Sequence, residues 1–451
     1  MINLANFLTT NNDNIAIIDE NNSYSYNNIH EKSNSLASGL LKFGVKKYDK
    51  VGIKFYNSFE FLISYLAVLK VGATAVLINP ITPMKIGIML EEKFDLKVII
   101  QRFNIHEFLG ETKSIDVSLK TEDPAFIVFS SGSTDIPKSI VVPHNHLWMI
   151  EKLSKIRNWT NVKMLLASPC CHMSGLSYLE TGLAGGSQII LMSRFVPEKA
   201  IDLIVKNEIN FLPFVPSMMT MLLDSLGDRS LDSVKVIRLS SAPVNKKLID
   251  RIKGKLPNAR VSIGYGSSEG GPNLFGPHHS LPTPELSVGY PVDGIDYRIV
   301  NEVLEIKSPS MMIGYGNSNT TLTEDGYFVT NDIFHIDENG FYYFIGRADD
   351  MFTCGGHNIY PSHIERILEQ HPEVINSSVI GIPDDIKGHK PFAFVTGKAK
   401  ETELKRHCRQ YLTPAQIPRK IWNIDHIPLN NIGKIDKQKL KEQAIKLLYN
   451  V

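Results

Sequence analysis

The stretch FIVFSSGSTDIPKSIVVPH, residues 126–144, sets three serines, a threonine and a glycine between two β-branched runs, with one lysine near the end. Residues 126–129 read as a buried strand and 139–142 as a second. The loop between them is small and hydroxyl-rich. Such a loop turns several backbone N–H groups and hydroxyls toward one point, which suits an anion. Lys138 adds a positive charge, and Pro137 stiffens its approach. This chemistry fits nucleotide phosphates, although the pattern is not the Walker A loop, because no G-x-x-x-x-G-K-[ST] is present. Taken alone, the loop is equally a flexible Ser/Gly turn in a hairpin.

The chain has 451 residues, which predicts two domains or more. A hydrophobic content of 43% and a charged content of 21% fit a globular protein with a large core. The formal net charge of +1 gives no electrostatic case for nucleic acid or a membrane surface. The N-terminus lacks a basic start followed by an apolar core, so no signal peptide is expected. The most apolar region, 59–78, is interrupted by Lys70 and Gly72 and reads as helix then strand, with no membrane span. Cys170 and Cys171 are adjacent, while Cys354 and Cys408 stand alone. That spacing serves neither a metal nor a disulfide and suits a reducing cytoplasm.

Strand-like runs at 51–55, 73–78, 164–167, 188–192, 211–215, 234–239 and 260–264 alternate with helical patterns at 58–70, 197–207, 216–226 and 245–254. Thr82-Pro83 reads as a helix start with Pro83 at the first helical position. Alternation of this kind predicts α/β layers with mostly parallel sheets. From residue 286 the texture changes to short strands and turns, a β-rich subdomain. After Gly346 a smaller α+β pattern begins, with helices at 360–370 and 401–412 and strands at 374–380 and 392–396. The boundary is expected at 347–350, giving an N-terminal domain of residues 1–348 and a small, mobile C-terminal domain of residues 349–451.

Seven segments in order, SSGSTDIPKS, PCCHMSGL, SSAPV, GYGSSEGG, GYFVTNDIF, GRADDMFTCGGHNIYPSHIE and LNNIGKIDKQKL, together resemble the acyl-adenylate-forming superfamily. That group contains the acyl- and aryl-CoA synthetases, firefly luciferase and peptide-synthetase adenylation domains. The resemblance runs from about residue 14 to the C-terminus. It implies a reaction in two halves: ATP and a carboxylate give acyl-AMP and pyrophosphate, then a thiol releases AMP. ATP, Mg²⁺ and coenzyme A are the implied cofactors, and a small carboxylic acid the implied substrate.

By that resemblance Ser130, Ser131, Gly132, Ser133, Thr134 and Lys138 would cradle the β- and γ-phosphates. Asp135 and Ser139 stand where the family has glycine. Gly264, Tyr265 and Gly266 would lie along the nucleotide, Tyr265 against adenine. Ser267 and Ser268 would touch phosphate or the acyl carboxylate, and Glu269 would hold Mg²⁺. Ser241, Ala242 and Pro243 would line the other adenine face, with Ser240-Ser241 replacing two glycines. Asp332 matches the aspartate that binds both ribose hydroxyls, with Asn331 replacing a glycine beside it. Arg347 matches an arginine on ribose or α-phosphate. Outside this context, either would be an ordinary surface ion-pair partner.

His172 matches a gate at the acid pocket, and Met173, Ser174 and Ser177 are expected to line that pocket. Met173 stands where amino-acid-activating domains carry an aspartate, which disfavours an α-amino acid. His144 and His146 have no third ligand nearby in sequence and read as structural. Lys434 matches the C-terminal lysine that bridges carboxylate and α-phosphate, so Lys434, His172 and Lys138 form the expected catalytic set. Gly355 and Gly356 match the backbone beside the pantetheine arm of coenzyme A, and Asp349 the hinge. The expectation is an acid–CoA ligase. The alternatives are a ligase that loads the phosphopantetheine of a carrier protein, a noncatalytic adenylate-binding relative, and a luciferase-like oxidative enzyme.

Overall fold

The computed structural model describes residues 3–8, 12–19, 22–115, 117–129, 138–156, 159–316, 322–430 and 434–449. Among them, a seven-stranded sheet runs in the order Arg260–Ile263, Val236–Leu239, Phe211–Phe214, Lys163–Leu166, Gln188–Leu191, Ile15–Asp19, Asn22–Ser25. Every pairing is parallel except the last, at the edge. A six-stranded sheet runs Gly314–Tyr315, Ser139–Pro143, Pro124–Phe129, Thr74–Leu77, Lys50–Lys54, Leu96–Gln101. Its last four strands are parallel, and the first two join antiparallel.

The strands are continuous apolar runs because both faces of each sheet are covered. Met164, Leu166, Ile189 and Leu191 face one core, while Leu165 and Ile190 between them face another. In the second sheet, Ala75, Leu77, Phe126 and Val128 join the first of these cores, and Val76, Ile78 and Ile127 a third. The shared core lies between the two sheets. Helices Phe59–Lys70 and Met173–Gly185 run through it, apolar around nearly their whole circumference, as a helix between two sheets must be. Helices Pro197–Asn207, Pro216–Ser225 and Lys246–Lys255 cover the far face of the seven-stranded sheet, and Met84–Phe94 that of the other.

One polar cluster is built into the shared core. Tyr65 Oη donates to Glu180 Oε1 at 2.6 Å, and His146 Nε2 meets Glu180 Oε2 at 3.0 Å. All three residues are fully buried. His144 accepts the Leu4 N–H at Nδ1, 3.3 Å away. His146 is thereby held against an interior helix, and His144 against the N-terminal segment.

An antiparallel sheet of Asp296–Val300, Val303–Lys307, Phe328–Ile336 and Tyr342–Arg347 forms the β-rich part. A smaller domain follows, with hydrophobic clusters of its own drawn from residues 352–444. Its sheet is built on the hairpin Val374–Asp384 with Gly388–Gly397. The strands are longer than expected because pairing runs on through GIPD and GHKP to Asp384 opposite Gly388. Two helix ends also differ. Pro83 is the N-cap of a helix that begins at Met84, and the helix from Glu401 stops at Cys408, four residues early. Among the described residues, no helix is long and apolar enough to cross a membrane.

Removing the Glu180 carboxylate strands the Tyr65 hydroxyl and a His146 ring nitrogen in an apolar interior, at about 1–3 kcal/mol for each. Glu180→Ala is therefore expected to lower the thermal unfolding midpoint far more than Glu122→Ala on the exposed surface. Equal midpoints for the two variants would mean that the cluster carries no stability.

Candidate active site

Parallel strands send their following loops to the same edge of a sheet, and ligands of such sheets bind at that carboxyl edge. Here the loops after Lys163–Leu166, Val236–Leu239 and Arg260–Ile263 carry His172, Ser241 and Tyr265–Glu269. The six-stranded sheet contributes Asn79, just beyond Thr74–Leu77, and Phe129, the last residue of Pro124–Phe129. His172 joins the two edges. Its Nε2 lies 3.2 Å from Asn79 Nδ2, and its ring also hydrogen-bonds the Phe129 main chain. Burial pushes the imidazole down to about 4; the Phe129 main chain opposes the shift and Lys434 adds to it. The ring is thus neutral at physiological pH. Gly175 lets the following helix approach this loop: a Cβ there would stand 2.3 Å from the Pro169 carbonyl oxygen.

Residues 130–137 lie outside the described residues, and with them Ser130, Ser131, Gly132, Ser133, Thr134 and Asp135. Lys138, next in the chain, is described. Its Nζ stands 5.6 Å over the Tyr315 ring. Tyr315 pairs with Ile140 in the adjoining strand, and its hydroxyl donates to Glu269 Oε1 at 3.3 Å. Burial and the Glu269 carboxylate push the Tyr315 phenol up to about 12, so it remains a neutral donor. Ser267 shapes the turn that carries Glu269: its Oγ accepts the Gly270 N–H at 2.8 Å, and its backbone pairs with Gly271 in both directions. Ser268 is half-buried beside it. Gly264 and Gly266 sit against Arg238 and the 271–273 backbone.

Asp332 receives two partners at the other side of the cleft. Tyr265 donates to Oδ2 at 2.5 Å, and Arg347 Nη1 stands 3.2 Å from Oδ1. Burial raises the Asp332 carboxyl above its usual range, with Arg347 and Tyr265 opposing. Arg347 also binds Asp349 at 2.8 Å, so Asp349 is tied to the large domain through that arginine. Ser241 and Asn331 both hold left-handed backbone, at φ +70° and +57°. These are the positions where glycine was expected from the resemblance, and side chains there keep the glycine-like conformation at about 1–2 kcal/mol. Ala242 is half-buried and Pro243 exposed beside Ser241.

The small domain brings Lys434 to this cleft. Its backbone is held by Asn430, through Asn430 N–H to Lys434 O at 2.7 Å and Lys434 N–H to Asn430 Oδ1 at 3.0 Å. The side chain is accessible to water, yet the cleft and Arg347 lower its pKa while Asp332 and Glu269 oppose. Glu269, Asp332, Arg347, His172 and Lys434 therefore share one electrostatic field. Met173 and Ser177 are buried, at 6% and 2% exposure, and only His172 and Ser174 of the four expected acid-pocket residues are half-buried.

The glycine pair stands apart. Gly355 and Gly356 form the exposed turn between Phe352–Cys354 and His357–Ile359, with φ +58° and +83°. Two positive φ values in a two-residue loop are what a tight hairpin requires. An added Cβ at Gly356 would meet no atom within 4 Å. Tyr315 and Asn79 went unread in the sequence, since each acts only through a partner 46 or 93 positions away. The signal available was a polar residue just past an apolar run for Asn79, and a tyrosine between two glycines for Tyr315.

Known proteins resemble this chain over most of its length. A family model described as AMP-binding enzyme matches residues 4–101 and 88–315, and one described as AMP-binding enzyme C-terminal domain matches 363–434. A 2-succinylbenzoate–CoA ligase of Bacillus cereus is 27% identical over 97% of this chain and 96% of its own. One of Geobacillus kaustophilus is 27% identical over 95% and 94%. ATP-bound MatB from Rhodopseudomonas palustris has a TM-score of 0.89 at 23% identity, covering 99% of both chains. The o-succinylbenzoate CoA synthetase of Bacillus subtilis, in complex with its acyl-adenylate intermediate, has a TM-score of 0.82 at 24% identity, covering 95% of this chain and 95% of its own. The last two likenesses speak to fold, whereas the match to the family model extends over most of the large domain: the chain belongs to the AMP-binding enzyme family.

Proposed function

We infer that this chain is an ATP-dependent acid–CoA ligase that works through an acyl adenylate. The observation that carries the reading is the company of Lys434, a small-domain cation set among Glu269, Asp332 and Arg347 of the large domain. In the first half-reaction a carboxylate oxygen bonds to the α-phosphorus, the bond to the bridging oxygen breaks, and pyrophosphate leaves. Two anions must meet, so a cation where carboxylate and phosphate touch stabilises the transition state. Lys434 serves that step, with Lys138 on the outer phosphates. Asp332 takes the ribose hydroxyls, Arg347 the ribose or α-phosphate, and Tyr265 and Ser241–Pro243 flank the adenine. Glu269 sets a carboxylate on the opposite side of the cleft from Asp332 and would hold Mg²⁺, whose charge would offset that of the phosphates. His172, neutral and held by two partners, bounds the acid pocket without exchanging a proton.

In the second half-reaction the thiol sulfur bonds to the acyl carbon, the acyl–oxygen bond breaks, AMP leaves and the thiol proton passes to solvent. Gly355 and Gly356 would line the thiol's approach. The relatives' names and the glycine pair favour coenzyme A over a carrier protein. Because Lys434 and Gly356 lie in one small domain and serve different steps, that domain re-orients between them. We place the boundary between residues 348 and 349, with Asp349 as hinge. Four free, buried cysteines support a cytoplasmic location. The first acid to try is 2-succinylbenzoate, the substrate in the relatives' name.

The deciding assay is pyrophosphate release over a panel of aromatic, dicarboxylic and medium-chain acids, with and without coenzyme A. One acid should give sustained turnover only when coenzyme A is present. No acid-dependent release from any of them would overturn the reading.

Lys434→Ala is expected to slow acyl-AMP formation by about 10²–10³-fold, the scale for losing an electrostatic stabiliser. Supplied acyl-AMP should still become thioester. Equal losses in both steps would remove Lys434 from its role. The same variant also tests proximity without activity. Lys434 helps hold the His172 pKa down, so its removal should raise the His172 value measured by NMR titration. An unchanged value would mean that the two residues are apart in solution.

Gly356 needs a careful variant, because φ +83° strains most side chains whatever the space. Asn tolerates that backbone. Gly356→Asn should retain pyrophosphate exchange and slow thioester formation. A normal thioester rate would free Gly356 from the thiol path.

A further inference from the structure

Helix Lys246–Lys255 opens with two lysines, at the end of a helix where the macrodipole disfavours cations. Lys246 is matched locally, by Asp250 at 2.8 Å and Glu285 at 3.2 Å. Lys247 reaches across to the small domain instead. Its Nζ donates to the carbonyl oxygens of His371, Pro372 at 3.4 Å and Val374 at 2.6 Å. These residues follow the C-terminus of helix Pro361–Gln370, where the dipole is negative and a cation is favoured. One helix's start thus meets another's end, and Lys247 gains from the second what it loses at the first.

Asn245, the N-cap of the same helix, divides its side chain between the two domains. Its Oδ1 accepts the Leu248 N–H at 2.9 Å, which is the capping bond. Its Nδ2 donates to Glu369 Oε2 at 3.0 Å. The other Glu369 oxygen accepts the Ser377 N–H at 3.0 Å and hydroxyl at 3.2 Å, which fixes the carboxylate for Asn245. Capping needs only the oxygen of Asn245, so the amide donor is available for the small domain. Burial pulls Lys247 down and pushes Glu369 up to about 7, consistent with a contact that excludes water from both.

We propose that Asn245 and Lys247 are positioning residues for adenylation: they latch helix Pro361–Gln370 to the large domain and so keep Lys434 at the cleft. This rests on the reading of Lys434 given above. The latch touches neither the cleft nor the reacting atoms. It acts on the orientation of the small domain, so it favours one half-reaction over the other. Releasing it lowers the share of molecules that have Lys434 in place and raises the share free to re-orient.

The test uses the full chain carrying Asn245→Asp, Lys247→Met, or Asn245→Asp combined with Glu369→Gln. Asp keeps the capping oxygen and sets a second carboxylate against Glu369; Gln at 369 then supplies the missing donor. Acid-dependent pyrophosphate exchange and thioester formation from supplied acyl-AMP are measured separately. Dyes on cysteines introduced at the exposed Asp228 and Lys398 report domain separation, the four native cysteines being buried. Each single variant should slow exchange about tenfold, leave the thioester step equal or faster, and broaden the dye separation. The double variant should recover most of the exchange. The latch is overturned if exchange is unchanged, if both steps fall together with the dye separation unaltered, or if the double variant recovers nothing. Absence of exchange in the unaltered chain with every acid would overturn the ligase reading instead, and the dye separation would still judge the latch.

Discussion

Strand direction is the constraint on which everything else rests. Because these strands run parallel to their neighbours, the loops after Lys163–Leu166, Val236–Leu239, Arg260–Ile263 and Thr74–Leu77 have no choice of edge. Parallel sheets must be covered on both faces, which explains the stack of helix, sheet, helix pair, sheet and helices. The inner helix pair is then sealed from water, so the Glu180 carboxylate needs partners from the protein. Tyr65 and His146 supply them at full burial. The position of His172 follows, since it caps the helix that carries Glu180 and ties the two carboxyl edges together through Asn79.

At that edge the charges are arranged to be incomplete. Arg347 is shared between Asp332 and Asp349, and Glu269 has a neutral tyrosine for a partner. Lys138 lies over the same tyrosine. Lys434 has acids in its field yet no ion pair with them within 4 Å among the described residues. A paired, buried cation would have little left to offer an incoming anion. Here desolvation in the cleft lowers Lys434 and burial raises Asp332, so each charge is less favoured than it would be in water.

Much of this was legible in the sequence, and the reason is physical. Continuous apolar runs announce strands covered on both faces, and local punctuation announces the loops after them. The helices at 197–207 and 216–225 come within a residue of expectation because proline marks each start. What escaped depends on partners distant in sequence. Tyr315 reads as another aromatic until Glu269 and Lys138 are near it. Asn245 and Lys247 stand within the helical pattern at 245–254 with nothing to mark them, and only the small domain, 124 or more residues away, gives them another role. The extension of the hairpin through 381–384 and 388–391 went unread because GIPD and GHKP carry turn residues, and a register of long pairings outweighed that local signal. The glycine pair at 355–356 shows the converse: a residue type was recognised, while the positive φ of a two-residue turn is a sufficient reason for it.

The proposed re-orientation of the small domain limits how strong any single contact between it and the large domain can be. The Lys247 contacts are hydrogen bonds from a charged group, of about 1.5–3 kcal/mol, and the Asn245–Glu369 bond is similar. The three Lys247 bonds share one donor, and both contacts are offset by the desolvation and side-chain ordering they require, so their net bias is the smaller part of the sum. A bias of about 1.4 kcal/mol already makes a tenfold preference, and about 5.5 kcal/mol would lock a two-state equilibrium almost wholly to one side. A latch of two side chains falls between these limits. Under the proposed alternation it would be strong enough to keep Lys434 at the cleft while ATP and acid are bound, and weak enough to give way once pyrophosphate has gone. These contacts lie on polar side chains and main-chain carbonyls, and the hydrophobic clusters of the small domain are separate from those of the large one, so the interface could part without exposing a core.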